Sequence, residues 1–229
     1  MSSYGRAFAL WRESAKQKEG DAWSAYTRHR FVESLRDGSL PREAYIHYLL
    51  QDYVFLLHFS RAWALAVVKS ETLSEMKLAS ATVDSLVNLE MQHHVDICAK
   101  HGISEQELFS TIEESENLSY TRYVIDAGLS GDLADLLAAL APCIFGYGEI
   151  GKRLSENLSA DNPYAEWIKT YASDEYQLVC FEAGQLIDEA LERRIGVDFE
   201  VSPRWERLTE RFVMATRLEA SFWSMSLKI

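Results

Sequence analysis

The sequence predicts an all-α protein, a bundle of helices formed by one chain of 229 residues. Apolar residues recur every three or four positions along nearly the whole chain, which is the spacing of buried helix faces. Only four prolines and eleven glycines interrupt this pattern. No alternating run is long enough to indicate a sheet, and no linker or internal repeat divides the chain. We therefore expect a single domain spanning residues 1–229.

Start and stop signals set the helix ends in the first half of the chain. Ser39–Pro41 combines a capping residue with an early proline. Thr72–Glu75 and Ser104–Glu107 have the spacing of capping boxes, and Lys100–Gly102 is typical of a helix end. The helices predicted in this half span about residues 3–18, 21–37, 41–69, 73–101 and 104–113.

The second half of the chain contains the longest uninterrupted apolar segment. Pro142 lies inside it and is expected to bend the helix beside Cys143, because proline lacks a backbone donor. Gly146 and Gly151 would let another helix or a ligand approach closely. Ser202–Pro203 opens the last helix. The helices predicted in this half span about residues 117–129, 132–158, 162–171, 173–194 and 203–228.

Composition narrows the class of protein. The 23 basic and 35 acidic residues give a net charge of −12, which argues against nucleic acid and anionic membranes as partners, because both require clustered Lys and Arg. No signal-type or membrane-spanning apolar run is visible. Three cysteines without a C-x-x-C pair predict reduced thiols rather than disulfides. We expect a cytoplasmic protein.

Three helical stripes contain a reactive or ionisable side chain among hydrophobic residues. Cys143 and Tyr147 share a face in the stripe that runs from Leu133 to Ile150. Asp52 and Glu219 interrupt two other stripes in the same way. A lone carboxylate in a core costs several kcal/mol unless it is paired or lines a polar cavity. Three such interruptions on three helices predict one shared pocket.

Each interruption also has a purely structural interpretation. Cys143 could be a buried core cysteine, which is common. Asp52 could be tied to a backbone donor or to an arginine such as Arg61 or Arg217, and Glu219 could be paired similarly. Phe222 lies on the Glu219 face, and a carboxylate and an aromatic three residues apart would suit a flat, nitrogen-rich heterocycle.

A metal site is the weaker hypothesis. Glu90 and His93 match half of the paired Glu-x-x-His motif of carboxylate-bridged di-iron bundles. All six histidines precede residue 102, so no second motif exists. We therefore expect no metal, and an internal hydrogen bond for Glu90 and His94.

Several short motifs in order along the chain carry a family resemblance. They are Asp37–Pro41, Tyr48–Tyr53, Pro142–Tyr147 followed by Ile150–Gly151, Trp167–Ile168 with Tyr171–Ser173, and Arg217–Trp223. With these motifs the chain resembles the TenA/thiaminase II family, also called aminopyrimidine aminohydrolases, from Phe31 to Met225. The resemblance implies an all-helical fold of the haem-oxygenase-like type, a homotetramer and no cofactor.

The resemblance also implies an activity in thiamin metabolism. Such enzymes hydrolyse 4-amino-5-aminomethyl-2-methylpyrimidine to the hydroxymethyl pyrimidine and ammonia, and many split thiamin into the same pyrimidine and the thiazole alcohol. By position, Cys143 matches the nucleophile, which places the chain in the cysteine-containing branch. Asp52 and Glu219 match the two acids that hold the pyrimidine, and Glu219 is our candidate proton donor to the ring nitrogen.

The remaining matched positions are aromatic. Tyr120, Tyr147 and Tyr171 match pocket tyrosines, and Phe222 matches the stacking aromatic. Phe55 departs from the family, which often has tyrosine there, so a weaker contact to the leaving group or a shifted substrate preference would follow. Two other functions stay open: a non-catalytic pyrimidine-binding or regulatory protein, and a metal-dependent oxidase on the same scaffold.

Overall fold

The computed structural model describes residues 4–17 and 20–228, which form twelve α-helices and contain no strand. The all-α prediction is therefore confirmed. The helices are α1 (Arg6–Gln17), α2 (Ala22–Thr27), α3 (Arg30–Asp37), α4 (Arg42–Lys69), α5 (Leu73–Ser85), α6 (Met91–Lys100), α7 (Glu105–Phe109), α8 (Ser115–Ser130), α9 (Leu133–Ser155), α10 (Ala165–Ala172), α11 (Asp174–Ile195) and α12 (Pro203–Ser226). The predicted limits of the first helix, residues 3 and 18, lie outside the described residues.

Most helix ends follow the local signals. Both capping boxes form, at Thr72–Glu75 and Ser104–Glu107, and Ser202 caps α12. Gly102 ends α6 with a φ of +84°, a left-handed conformation that glycine adopts without steric cost. The start of α4 differs from the prediction, because Pro41 is the N-cap residue and no side chain completes the cap.

Two predicted helices are interrupted. The segment predicted as 21–37 divides into α2 and α3, because His29 leaves the helical conformation and its Nδ1 accepts a hydrogen bond from the Phe31 N–H at 3.2 Å. The segment predicted as 73–101 contains a π-helical turn, Leu86–Glu90, between α5 and α6. Such turns insert one residue into a helix and change which side chains face inward.

Helix α9 is the centre of the bundle. It packs against α2, α4, α8, α10, α11 and α12, and most of its residues are buried. The prediction that no run is long and apolar enough to span a membrane is wrong for α9, which among the described residues is the one helix that could do so by length and composition. However, 89% of its most apolar 18-residue window is buried inside the protein. At its start, Asp135 accepts hydrogen bonds from Arg204 and Arg211 of α12 at 2.9 and 2.8 Å.

Two glycines let neighbouring helices approach α9 closely, as predicted. A Cβ atom on Gly146 would overlap the ring of Tyr26, which belongs to α2. A Cβ atom on Gly151 would lie 2.5 Å from the carbonyl carbon of Tyr171, in α10. These contacts bring two tyrosines toward the segment of α9 that contains Cys143.

Candidate active site

A cavity of about 280 Å³ lies between α4, α5, α9, α10 and α11 and includes the end of the π-helical turn. It brings together five of the eight residues singled out in the sequence. These five line the cavity: Asp52, Phe55, Cys143, Tyr147 and Tyr171. The other three form the layer behind its wall and touch lining residues: Tyr120, Glu219 and Phe222.

Cys143 is the partly accessible cysteine, whereas Cys98 and Cys180 are buried. Its thiol lies beside the carboxyl group of Glu219 and interacts with it. Burial raises the pKa of the Cys143 thiol well above its ordinary value, and the carboxyl groups of Glu219, Asp52 and Glu90 raise it further. The Cys143 thiol is therefore neutral near neutral pH, and any thiolate has to form by proton transfer to a neighbouring group.

Glu219 is positioned to be that neighbouring group. Its carboxyl is 2% exposed and accepts a 2.8 Å hydrogen bond from the Tyr120 hydroxyl. The Cys143 thiol and the Tyr26 hydroxyl lie close enough to Glu219 to lower its pKa, although the Tyr26 hydroxyl donates to the Pro142 carbonyl at 3.4 Å. Burial raises the pKa of Glu219 to about 8, and the Tyr120 hydrogen bond opposes this rise. Near neutral pH both of its protonation states are accessible, which a proton-transfer group requires.

Asp52 occupies the cavity wall contributed by α4. The Tyr48 hydroxyl donates to its Oδ2 at 3.3 Å, and Trp167 donates in turn to Tyr48 at 3.2 Å. Burial raises the pKa of Asp52 to about 7. No arginine pairs with it among the described residues, since Arg61 bonds to His58 and Arg217 is exposed.

His94 is the second neighbour of Asp52. Its Nε2–H donates to the Leu49 carbonyl at 2.7 Å, and burial lowers the pKa of the imidazole to about 4. The neutral ring therefore presents an unprotonated Nδ1 to Asp52 Oδ2, 3.6 Å away. Two acceptors facing each other favour a proton on the carboxyl group, in agreement with the raised pKa of Asp52.

The predicted internal hydrogen bond is half right. His94 does bond internally, to a backbone carbonyl, but Glu90 makes no hydrogen bond or ion pair within the described residues. Glu90 instead lines the cavity from the π-helical turn. The signal that identified Asp52, a carboxylate in an apolar stripe, was also present at Glu90. Within the described residues no three His, Cys, Asp or Glu side chains converge as metal ligands.

Aromatic rings complete the walls. Tyr147 and Tyr171 meet edge to face with centroids 4.8 Å apart, and burial raises the pKa of both phenols well above the ordinary value. Phe222 is 2% exposed and makes an edge contact with Phe55 at 5.7 Å, so Phe55 is the ring that faces the cavity. Tyr176, not singled out in the sequence, also lines it.

Comparison with curated proteins identifies relatives over nearly the full length. The family model described as TENA/THI-4/PQQC matches residues 17–228. A protein of Haemophilus influenzae named only as uncharacterized is 37% identical over 220 residues, covering 95% of this chain and 99% of its own. A protein of Halalkalibacterium halodurans named aminopyrimidine aminohydrolase is 34% identical over 215 residues, covering 93% of each chain.

Comparison with solved structures identifies relatives of the same kind. The crystal structure of a protein from a Silicibacter species, titled a TenA family transcription regulator, superposes with a TM-score of 0.95 at 58% identity over 99% of both chains. A TenA homologue from Pyrococcus horikoshii has a TM-score of 0.84 at 26% identity, covering 96% of this chain and 97% of its own. This chain therefore belongs to the TENA/THI-4/PQQC family and has the all-α fold of its TenA members.

Proposed function

We propose that this protein is a hydrolase of thiamin metabolism that cleaves the exocyclic C–N bond of 4-amino-2-methylpyrimidines substituted through a methylene at C5. The aminomethyl form would give the hydroxymethyl pyrimidine and ammonia, and thiamin would give the same pyrimidine and the thiazole alcohol. The observation that carries the proposal is the placement of the cavity-lining thiol of Cys143 beside the buried carboxyl of Glu219, close enough for each group to shift the pKa of the other. Curated relatives named aminopyrimidine aminohydrolase support the reaction class.

Substrate binding follows from the polar groups of the wall. Asp52, when ionised, accepts a hydrogen bond from the 4-amino group and fixes the orientation of the ring. Phe55 provides an apolar face for the pyrimidine, and Phe222 supports Phe55 from behind. Tyr147 and Tyr171 remain protonated phenols, which orient the attacking water or the departing amine.

The first chemical step is addition of sulfur to the ring. The leaving group is attached through a methylene to an aromatic pyrimidine and cannot leave easily while the ring is intact. Sulfur bonds to the ring carbon beside the arm, and the C=N electron pair moves to the ring nitrogen, which takes the proton of Glu219. The carboxylate so formed takes the Cys143 proton, so Glu219 transfers one proton from sulfur to nitrogen.

Cleavage and hydration follow from the dearomatised adduct. The ring expels the amine, which keeps the C–N bonding pair, and an exocyclic C=C bond forms. Water then adds to the exocyclic methylene, the C–S bond breaks, and the aromatic ring returns as the hydroxymethyl product. Dividing one difficult displacement into two additions and two eliminations is the advantage of a covalent route.

Ammonia and pyrimidine release from the aminomethyl pyrimidine tests the proposal, with thiamin as a parallel substrate. We expect Cys143→Ser to abolish turnover without unfolding the protein, because serine is a far weaker nucleophile in the same volume. Cys98→Ser is the matched control, since Cys98 is buried outside the cavity. Wild-type rates in the Cys143 variant would contradict the covalent route.

A regulatory role is the second candidate, since the similar Silicibacter structure carries that description. The net charge of −12 opposes direct contact with DNA. A binding module would use the acids and aromatic rings but would not need the thiol of Cys143. Tight pyrimidine binding without any turnover would favour this candidate.

A further inference from the structure

Glu90 is a carboxyl group of the cavity for which the proposed reaction has no role. It ends the π-helical turn between α5 and α6, and turns of this type occur frequently at functional sites. Glu90 is accessible and lines the cavity. No hydrogen bond or ion pair reaches it within residues 4–17 and 20–228. It nevertheless lies close enough to influence the electrostatics of Cys143, Tyr171 and Tyr176.

The cavity wall is short of positive charge. Its lining residues include three carboxyl groups, Asp52, Glu90 and Glu182, and no Lys, Arg or His. Burial and the nearby Asp52 carboxyl raise the pKa of Glu90 to about 7. Carboxyl groups that line one cavity without a cationic side chain among the lining residues favour a ligand that brings its own positive charge.

Helix α4 contributes a single ionisable group to the cavity wall, and its other lining side chains are apolar. Helix α4 contributes Phe55, Leu56 and Phe59 beside Asp52. The hydroxyl that the family often places at position 55 is therefore absent here. Further polar groups of the wall come from the end of α5 and the π-helical turn, where Ser85 and Glu90 line the cavity.

We propose that Glu90 determines substrate specificity, by binding the positively charged nitrogen on the 5-methylene arm of the substrate. This inference rests on the proposed function, because it assigns the leaving-group end of the same site. The substrate class it defines is an aminopyrimidine whose arm nitrogen is cationic, either a primary ammonium or a quaternary ring nitrogen. A neutral amide arm is excluded from this class.

The positive charge on the arm nitrogen helps the leaving group to depart. An ammonium group leaves as neutral NH₃ when the C–N bond breaks and its electron pair goes to nitrogen, with no further proton needed. A quaternary ring nitrogen leaves as a neutral heterocycle in the same way. A nearby carboxylate favours the protonated amine, and so keeps the arm in the form that can leave.

Two ligands with the same pyrimidine and different arms test the inference. One is the aminomethyl pyrimidine, which has a cationic arm, and the other is its N-formyl derivative, which has a neutral arm. Calorimetry gives the Kd of each ligand for the wild type and for Glu90→Gln. We expect the Kd of the cationic ligand to rise about 10-fold to 100-fold, since a charge-assisted contact is lost, and that of the formyl ligand to stay within about 2-fold.

Asp96→Asn is the matched control, because it makes the same change of charge on neighbouring α6 with a side chain that is exposed outside the cavity. It should change neither Kd. Equal weakening of both ligands by Glu90→Gln, or no weakening of either, would overturn the inference. Turnover is measured separately, so selective binding without turnover by the wild type would contradict the proposed function and leave the assignment of Glu90 standing.

Discussion

Glu219 is the residue on whose ionisation the proposed chemistry depends most. Glu219→Gln keeps an oxygen that can accept the Tyr120 hydrogen bond, but it can no longer transfer a proton. We expect kcat to fall about 10²-fold to 10⁴-fold, the usual contribution of a positioned acid or base. Steady-state kinetics with a thermal melt check this, and a variant that loses activity only because it unfolds would favour a structural role for the carboxyl.

The pH dependence of kcat/KM follows from the two raised carboxyl pKa values. Ionised Asp52 is a stronger acceptor for the 4-amino group than the protonated acid, so activity should rise as pH increases through about 7. Glu219 donates only when protonated, so activity should fall as pH increases through about 8. We therefore expect a narrow bell-shaped pH profile of kcat/KM with its maximum between these values. Its acid limb reports mainly Asp52 and its alkaline limb mainly Glu219, and the apparent pKa values include the interaction between the two groups. A profile that is flat from pH 5.5 to 9.5 would contradict both roles.

Tyr120→Phe separates the two limbs of that profile. The Tyr120 hydrogen bond lowers the pKa of Glu219, so its removal should raise this pKa and move the alkaline limb to higher pH. The acid limb, set by Asp52, should stay in place because Tyr48 is its hydrogen-bond partner. A shift of both limbs by the same amount would indicate a general rearrangement of the site.

Individual residues also show which parts of the site a sequence can reveal. Asp52, Cys143 and Glu219 were recognisable because ionisable or reactive groups interrupt apolar stripes, and burying such groups is costly without a reason. The sequence did not reveal which residues line the cavity and which lie in the layer behind its wall. Periodicity marks Phe222 and Phe55 alike as inward-facing, and only the packing of α12 against α4 determines that Phe55 is the ring at the cavity surface.

At the scale of the element, helix ends that depend on neighbouring residues were predictable. The Thr72–Glu75 and Ser104–Glu107 boxes form because all of their hydrogen bonds are local. The π-helical turn at Leu86–Glu90 was not predictable, because its one-residue change of register depends on what α5 and α6 pack against. The function assigned to Glu90 therefore required the structure.

A substitution at Gly146 tests how much the close contact between α9 and α2 contributes to the free energy of unfolding. Gly146→Ala would overlap the Tyr26 ring, and we expect it to lower the free energy of unfolding by about 1–3 kcal/mol, as overpacking usually does. Urea unfolding measures this. Combining it with Tyr26→Ala should cost less than the sum of the two single changes, because the removed ring leaves space for the new methyl group. Strict additivity would show that the two residues do not compete for space.

At the scale of the whole molecule, one buried ion pair joins two walls of the cavity. Arg194, near the end of α11, donates to both carboxyl oxygens of Glu75, in the first turn of α5, at 2.7 and 3.1 Å. Both side chains are 3% exposed. Arg194→Met would leave the buried carboxylate with two backbone N–H donors and only the more distant Arg193, 3.8 Å away, as a positive charge. We expect a loss of up to about 3–5 kcal/mol in the free energy of unfolding.

The double variant Glu75→Gln with Arg194→Met is the control for this pair. Glutamine keeps the capping box at the start of α5 and carries no charge, so most of the lost stability should return. Chemical denaturation of the three variants gives the comparison. If the double variant is as unstable as Arg194→Met alone, packing of the arginine chain, rather than the stranded charge, is the cause.

The fold class was predictable because it depends on a pattern repeated along the whole chain. Helical periodicity, few glycines and few prolines are enough to exclude a sheet. The arrangement of the helices was not accessible in the same way. That α9 is surrounded by six other helices depends on contacts between distant segments, such as Asp135 with Arg204 and Arg211.

The central position of α9 has a consequence for the synthesis and folding of the chain. Its apolar surface is covered fully only when α12, the most C-terminal of the described helices, packs against it. The same helix carries Glu219. A chain whose synthesis stops before residue 203 would lack the proton-transfer group and would expose apolar surface that invites aggregation, chaperones and proteases. Products that end before α12 are therefore expected to be both inactive and short-lived, so that only chains containing this helix accumulate.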